Sequence, residues 1–279
     1  MEEDSRLLPM LANLSKQYLG TDYGAERKVG SVNAGDIPQL AEESFPMCQR
    51  HANDVLVENH HLKHGARMQF GLFLKGIGLK LEDALLFWRS EFTKSMGADK
   101  FEKNYAYNIR HNYGKEGKRT DYTPYSCMKI IMSSAPAAGD AHGCPFRHSD
   151  QDTLRVRMHA YKLAPKAITE ISQLVAGSHY QLACVKYFEA THNVDNAEFV
   201  LSHPNQYYEK SREIRTGEKA AEPGTLPAMM GTSGGGAAAA SSTPDSPPKS
   251  SVSEATGLSD AELAAMMMDE GTDDVPGAN

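Results

Sequence analysis

The sequence predicts a mostly α-helical fold, and three observations carry that expectation. Apolar residues recur at helical spacing in one segment after another. Most of these segments open on Ser, Thr, Asp or Pro, and several close near Gly or Pro. Runs that alternate apolar with polar side chains, the mark of a half-buried strand, are scarce.

Residues 1–44 read as a helical lead-in and linker, and 45–216 as the folded part. SFPMCQRHANDVLVENHH is expected to start a helix with Ser44 as cap and Pro46 in the first turn, placing Cys48, Val55 and Leu56 at helical spacing. LEDALLFWRSEFTKSM carries Leu81, Leu85, Leu86 and Phe92 on one side, with acidic residues early and Lys94 late, as the helix dipole favours. TPYSCMKIIMSS, SDQDTLRVRMHAYKL, PKAITEISQLVAG and HYQLACVKYFEATH repeat the pattern. Two loops, YGKEGKRTDYTP and SSAPAAGDAHGCPFRHSD, are long for a compact domain, which marks them as functional or clamped. From Gly217 onward Gly, Ser, Pro and Ala dominate, too little apolar surface to offset ordering entropy, so 217–279 reads as a disordered acidic tail. Ser259 and Asp260 there are possible caps for a final helical turn.

The 279 residues are 40% hydrophobic and contain no run of about 18 apolar residues, so a membrane span is not expected. The acidic start MEEDSRLLPM lacks the basic-then-apolar order of a secretory signal. The expected compartment is intracellular and reducing, where disulfides do not persist. The net charge of -7 is uneven: -4 over 1–44, +5 over 45–216 and -8 over 217–279. All eleven histidines and all four cysteines fall between Cys48 and His203.

Cys48, Cys127 and Cys184 lie in helical patterns, whereas Cys144 sits in the turn HGCPFRH between Gly143 and Pro145, where packing as a small apolar group explains little. No CxxC pair is present. Four thiolates from separated elements can staple three helices and a loop around one centre, and such a set accepts either a zinc ion or a four-iron cluster; spacing does not choose.

Two segments suit phosphate chemistry. ENHHLKHGARMQFGLFLKGIG gathers His60, His61, Lys63, His64, Arg67 and Lys75, with an exposed stretch expected from His60 to Arg67. NYAYNIRHNYGKEGKR places Tyr105 and Tyr107 before Asn108, Arg110 and His111, with Lys115, Lys118 and Arg119 following. Cations beside planar rings neutralise phosphates while bases stack; the plainer alternative is a solvated basic face beside core tyrosines. Neither segment has the form of a helix-turn-helix, zinc finger or RNP motif. A phosphate-cradling loop, a nucleophile elbow, HExxH and paired metal-binding carboxylates are all missing from the sequence, which favours binding over catalysis.

SFPMCQRHANDVLVENHHLKHGARMQFGLFLKGIGL, YAYNIRHNYGKEGKRTDYTPYSCMKII, HGCPFRHSD, HYQLACVKYFEATHN and HPNQYYEKS, in that order, resemble the C-terminal iron–sulfur domain of the eukaryotic and archaeal-type DNA primase large, regulatory subunit. LSKQYLGTDYG resembles the stretch that precedes that domain, and the likeness covers about three-quarters of the chain. The resemblance implies a [4Fe-4S] cluster on Cys48, Cys127, Cys144 and Cys184, inside a helical domain in two halves around it. It implies binding of template DNA and the 5′-triphosphate end of the RNA primer during initiation of replication. The triphosphate ligands would be His61, Lys63, Arg67, Lys75, Asn108 and His111. His64, Met68, Tyr105, Tyr107, Arg110 and the loop bearing Lys115, Lys118 and Arg119 would lie nearby. A nuclear protein is implied, and within the full-length subunit the primase small subunit and the DNA polymerase alpha complex are the implied partners.

Lys63 stands where relatives often have arginine, which keeps the charge but loses the bidentate fork. Phe70 stands where they often have tyrosine. No segment matches the family's N-terminal domain, which docks the catalytic small subunit; the chain alone is expected neither to polymerise nor to anchor that subunit. The alternative to this reading is a structural zinc module that binds nucleic acid.

Overall fold

The computed structural model describes residues 32–217 apart from Glu198. The expectations for 1–31 and for the tail beyond 217, with Ser259 and Asp260, lie outside the described residues. Within them the chain is helix and loop, as the periodicity predicts, and the sole extended pairings are the isolated bridges Val32–Leu79 and Tyr113–Asp121. No described helix is long and apolar enough to cross a membrane.

Helix α1 (Ile37–Ser44) opens with proline in its first turn and buries Ile37, Leu40 and Ala41. Residues 32–44, expected as a lead-in, therefore supply core. Ser44 corrects a reading: it ends α1 rather than capping α2 (Met47–Asn59), and its buried hydroxyl has no hydrogen-bond partner among the described residues. Pro46 takes the N-cap position of α2, where it has no N–H to leave unsatisfied. The helix stops at His60, whose φ of 52° is left-handed.

Helix α3 (His64–Gly76) buries Phe70, Leu72, Phe73 and Leu74. Its last residue must be glycine, because a Cβ at Gly76 would lie 2.5 Å from both Asn205 Nδ2 and Pro124 Cγ. Helix α4 (Leu81–Phe92) has Glu82 and Asp83 in its first turn and Arg89 in its last. Its buried face is Ala84, Phe87, Trp88 and Phe92, so the expected stripe is rotated, and Leu86 is 60% exposed. Trp88 and Phe87 offer more area than Leu86 and decide which face turns inward.

Residues 98–112 form a helical run that the periodicity does not announce: α5 (Ala98–Phe101), a π turn (Glu102–Ala106) and α6 (Tyr107–Asn112). The π turn lets Phe101, Tyr105 and Ala106 all face inward. The remaining helices are α7 (Cys127–Met132), α8 (Pro145–His148), α9 (Gln151–Ala160), α10 (Pro165–Ala176), α11 (Tyr180–His192) and α12 (Pro204–Thr216). Ser126 caps α7 by accepting from the Lys129 N–H, and Asp150 caps α9 by accepting from the Thr153 N–H.

Two apolar clusters form the core. The first joins α1 to α4 with Phe101, Tyr105 and Tyr208, and its rings meet edge to face, as in Phe92–Tyr105 (4.8 Å, 85°) and Phe45–Phe73 (4.9 Å, 85°). The second gathers Met47, Phe146, Leu154, Met158, Ile171, Tyr187, Phe188 and Tyr207, with Cys127, Cys144 and Cys184 packed against it. Two helices belong to both: α2 gives Met47 to one and Leu56 to the other, and α12 gives Tyr207 and Tyr208.

Candidate functional site

All four cysteines line one cavity, from α2, the N-terminus of α7, the N-cap of α8 and the middle of α11, with Ile130, Phe146 and Leu201 among the other walls. None is in a disulfide. Burial pushes every thiol up, Cys144 to about 11. For Cys48, Cys127 and Cys184 the neighbouring cysteines add to that push. Four soft donors in an apolar wall are a ligand set for a thiophilic metal and for little else. Among the described residues, however, no three His, Cys, Asp or Glu side chains stand close enough to hold a metal ion.

A second pocket opens where α3, α4 and the 98–112 run meet. His64, Arg67, Met68, Tyr105 and Asn108 line it together with Trp88 and Phe92. Two segments separated by forty residues of sequence thus supply one polar lining. Arg67 donates from Nη1 to Leu62 O at 2.7 Å and lies over the Tyr105 ring at 4.9 Å. His61 Nε2 is 3.1 Å from Tyr105 Oη. Tyr105 itself is 7% exposed and edge-on to Phe92, so its ring belongs to the core as well as to the pocket wall.

The other sequence candidates are placed differently. Lys75 points to the 113–126 loop, where Nζ donates to Asn112 O (2.9 Å), Tyr122 O (2.6 Å) and Asp121 Oδ1 (2.5 Å), a clamp on the loop rather than a pocket wall. Arg110 Nε donates to Glu116 Oε1 at 2.9 Å across the same loop. Tyr107 stacks on His111 with ring centroids 6.0 Å apart, and the tilted Tyr122 ring lies 5.1 Å from His111. Lys115, Lys118 and Arg119 sit exposed on the loop.

The 133–143 loop also reaches the pocket helix, which no sequence pattern indicated. Lys63 Nζ donates to Ala138 O at 3.1 Å, and Gln69, buried in α3, hydrogen-bonds Gly143. A lone amide inside the apolar run MQFGLFL was the available signal.

Residues 38–208 match the family described as the C-terminal domain of the eukaryotic and archaeal DNA primase large subunit. The DNA primase large subunits of Mus musculus and Homo sapiens are each 55% identical over 220 residues, 78% of this chain and 44% and 43% of those proteins. The probable DNA primase large subunit of Arabidopsis thaliana is 51% identical over 221 residues, 79% of this chain and 48% of that protein. The chain spans less than half the length of these relatives. On the strength of the 38–208 match, this chain belongs to the eukaryotic and archaeal DNA primase large-subunit family, through the C-terminal domain that defines the match.

Proposed function

We propose that the chain is a non-catalytic binding domain of primase that holds template DNA and the 5′-triphosphate end of the RNA primer during initiation. The observation that carries the reading is the convergence of His64, Arg67 and Asn108 on one pocket, inside the segment that matches the family. A triphosphate concentrates several negative charges, and guanidinium, imidazole and amide donors around a partly buried cleft are a receptor for it. His61, Lys63 and His111 act from the rim, Lys75 fixes the 113–126 loop beside them, and the Lys115–Arg119 loop, with Tyr107 and Arg110, meets the strand's phosphates. In the nucleus, the full-length subunit joins the primase small subunit, which carries polymerisation, and the DNA polymerase alpha complex.

Cys48, Cys127, Cys144 and Cys184 are proposed to hold a [4Fe-4S] cluster. The four thiols line one largely apolar cavity, and four soft donors brought together from separated elements are the ligand set that such a cluster takes. When bound, the cluster supplies the charge compensation that lets four buried thiolates coexist. The domain is thereby two halves stapled at one point, with α1 packed into one of them.

Arg67→Ala tests the triphosphate assignment. Its removal deletes charge-assisted hydrogen bonds, so affinity for a primer–template duplex ending in 5′-triphosphate should fall by about 10- to 100-fold, and for the same duplex ending in 5′-hydroxyl far less. Fluorescence anisotropy at fixed salt measures both. Equal losses reassign Arg67 to general backbone contact.

A further inference from the structure

Two sides of helix α3 bear on different sites. One side, with His64, Arg67, Met68 and Gly71, lines the polar pocket. Another, with Gly65 and Gln69 one turn apart, meets the loop that ends in Cys144. A Cβ at Gly65 would lie 3.0 Å from His142 Nδ1, so the imidazole rests directly on the helix backbone. Gln69 is 3% exposed and spends its whole amide on one residue: the Gly143 N–H donates to Oε1 at 2.8 Å, and Nε2 donates to the Gly143 carbonyl at 3.3 Å. A buried amide is tolerated where donor and acceptor are both satisfied, and here a single peptide segment satisfies both.

Gly143 has no latitude of its own. Its φ is +84°, and a Cβ there would lie 2.5 Å from His148 Nδ1, the atom that accepts the Cys144 N–H at 3.0 Å. The segment gripped by Gln69 is therefore the one from which Cys144 hangs. At the start of α3, Lys63 holds the same loop at Ala138.

We infer that Gln69 is a positioning residue that ties the thiolate centre to the phosphate pocket, setting α3 against Cys144 so that the pocket keeps its preference for a 5′-triphosphate only while Cys144 is held in the centre. The inference rests on the assignment of both sites made above. A loop anchored at Cys144 gives Gln69 a fixed point to pull against; a loop released there lets the N-terminal turns of α3, with His64 and Arg67, lose their alignment to Asn108 across the pocket.

The test uses the full chain as wild type, Gln69→Met, which keeps the shape without the hydrogen bonds, and Gln69→Glu, which keeps an acceptor for the Gly143 N–H. Three quantities are read: release of bound metal to a chromogenic chelator, the ratio of affinities for 5′-triphosphate and 5′-hydroxyl duplexes, and the far-UV melting curve. Gln69→Met should release metal faster and lose about tenfold of the affinity ratio, the scale of one buried hydrogen bond, with Gln69→Glu between it and wild type. Metal-stripped wild type should lose the ratio as well, and stripped Gln69→Met should lose no more. A Gln69→Met protein that melts earlier but keeps both its metal-release rate and its ratio overturns the inference and leaves the amide as core filling. So does a stripped wild type that keeps its preference. If wild type shows no preference for the triphosphate, the pocket reading fails separately, and the release rate decides the link between Gln69 and Cys144: faster release keeps it and an unchanged rate removes it.

Discussion

The two apolar clusters hold their helices by different means. The first is closed by ring packing of α3 and α4, helices of 13 and 12 residues, with Phe45, Phe101, Tyr105 and Tyr208 interlocked around them. The second includes α7, with six residues, and α8, with four, both set at the cavity that the cysteines line. Helices shorter than about 12 residues are marginal alone, so α7 and α8 depend on what their ends are fastened to. Rings pack in both regions, as in Phe188–Tyr207 (4.9 Å, 88°) of the second, and the four-sulfur staple is the organiser proposed for the second alone.

The largest effect should come from breaking the staple. Cys184→Ser, or anaerobic chelation of the wild-type chain, is expected to abolish the visible absorbance and to unfold the second cluster. Structural metal sites of this kind contribute on the order of 10 kcal/mol to folding. Hydrogen exchange separates the regions: amides of α7, α8 and α11 should lose protection while those of α3 and α4 keep most of theirs. Equal loss in both regions breaks the comparison, and a colourless protein with stoichiometric zinc replaces the cluster by an ion.

The complementary cut is Phe92→Ala. Its ring is fully buried and contacts Trp88 (5.6 Å), Phe101 (5.9 Å), Tyr105 (4.8 Å) and His61 (5.3 Å). The cavity should cost about 3–5 kcal/mol in urea unfolding while metal content per chain stays at the wild-type value. Metal loss alongside the destabilisation would mean that the ring cluster also shapes the cysteine cavity.

What the sequence made legible follows the same division. Long helices with a polar opening residue were readable: α9 opens on Asp150 inside SDQDTLRVRMHAYKL, whereas the short α7 is capped by Ser126, three residues into TPYSCMKIIMSS. Ser44 misled because it is a good cap by type, but Pro46, already suited to the N-cap position, begins α2 two residues later. The 98–112 run escaped because a π turn shifts the register and erases the 3.6-residue period. In the candidate site, residue types were legible and partners were not. Nothing local in Lys75 says that it meets three oxygens of the 112–122 segment, and nothing local in Gln69 says that it meets Gly143. The four cysteines share a cavity although consecutive members are separated by 17 to 79 positions in sequence, a closeness made by the fold rather than by any spacing.

The smallest effect gives the finest test, because it sets two matched caps against each other. Ser126 and Asp150 each accept a hydrogen bond from the N–H three residues on, Ser126 at 3.2 Å and Asp150 at 2.8 Å. Either, changed to Ala, should cost about 1 kcal/mol if its helix relies on the cap. Helix α9 buries Leu154 and Met158, one and two turns beyond its cap, and carries no cysteine, so Asp150→Ala should cost that amount whether or not metal is bound. Helix α7 begins at Cys127, one residue beyond Ser126, and a ligand bond at Cys127 would fix the same turn that the serine fixes. Ser126→Ala should then be nearly silent in metal-loaded protein and accelerate metal release once a chelator competes. Urea midpoints for both variants, with and without metal, measure this. Equal costs for the two caps in loaded protein would show that α7 is held by its own hydrogen bonds, and the contrast between the two clusters would then rest on packing alone.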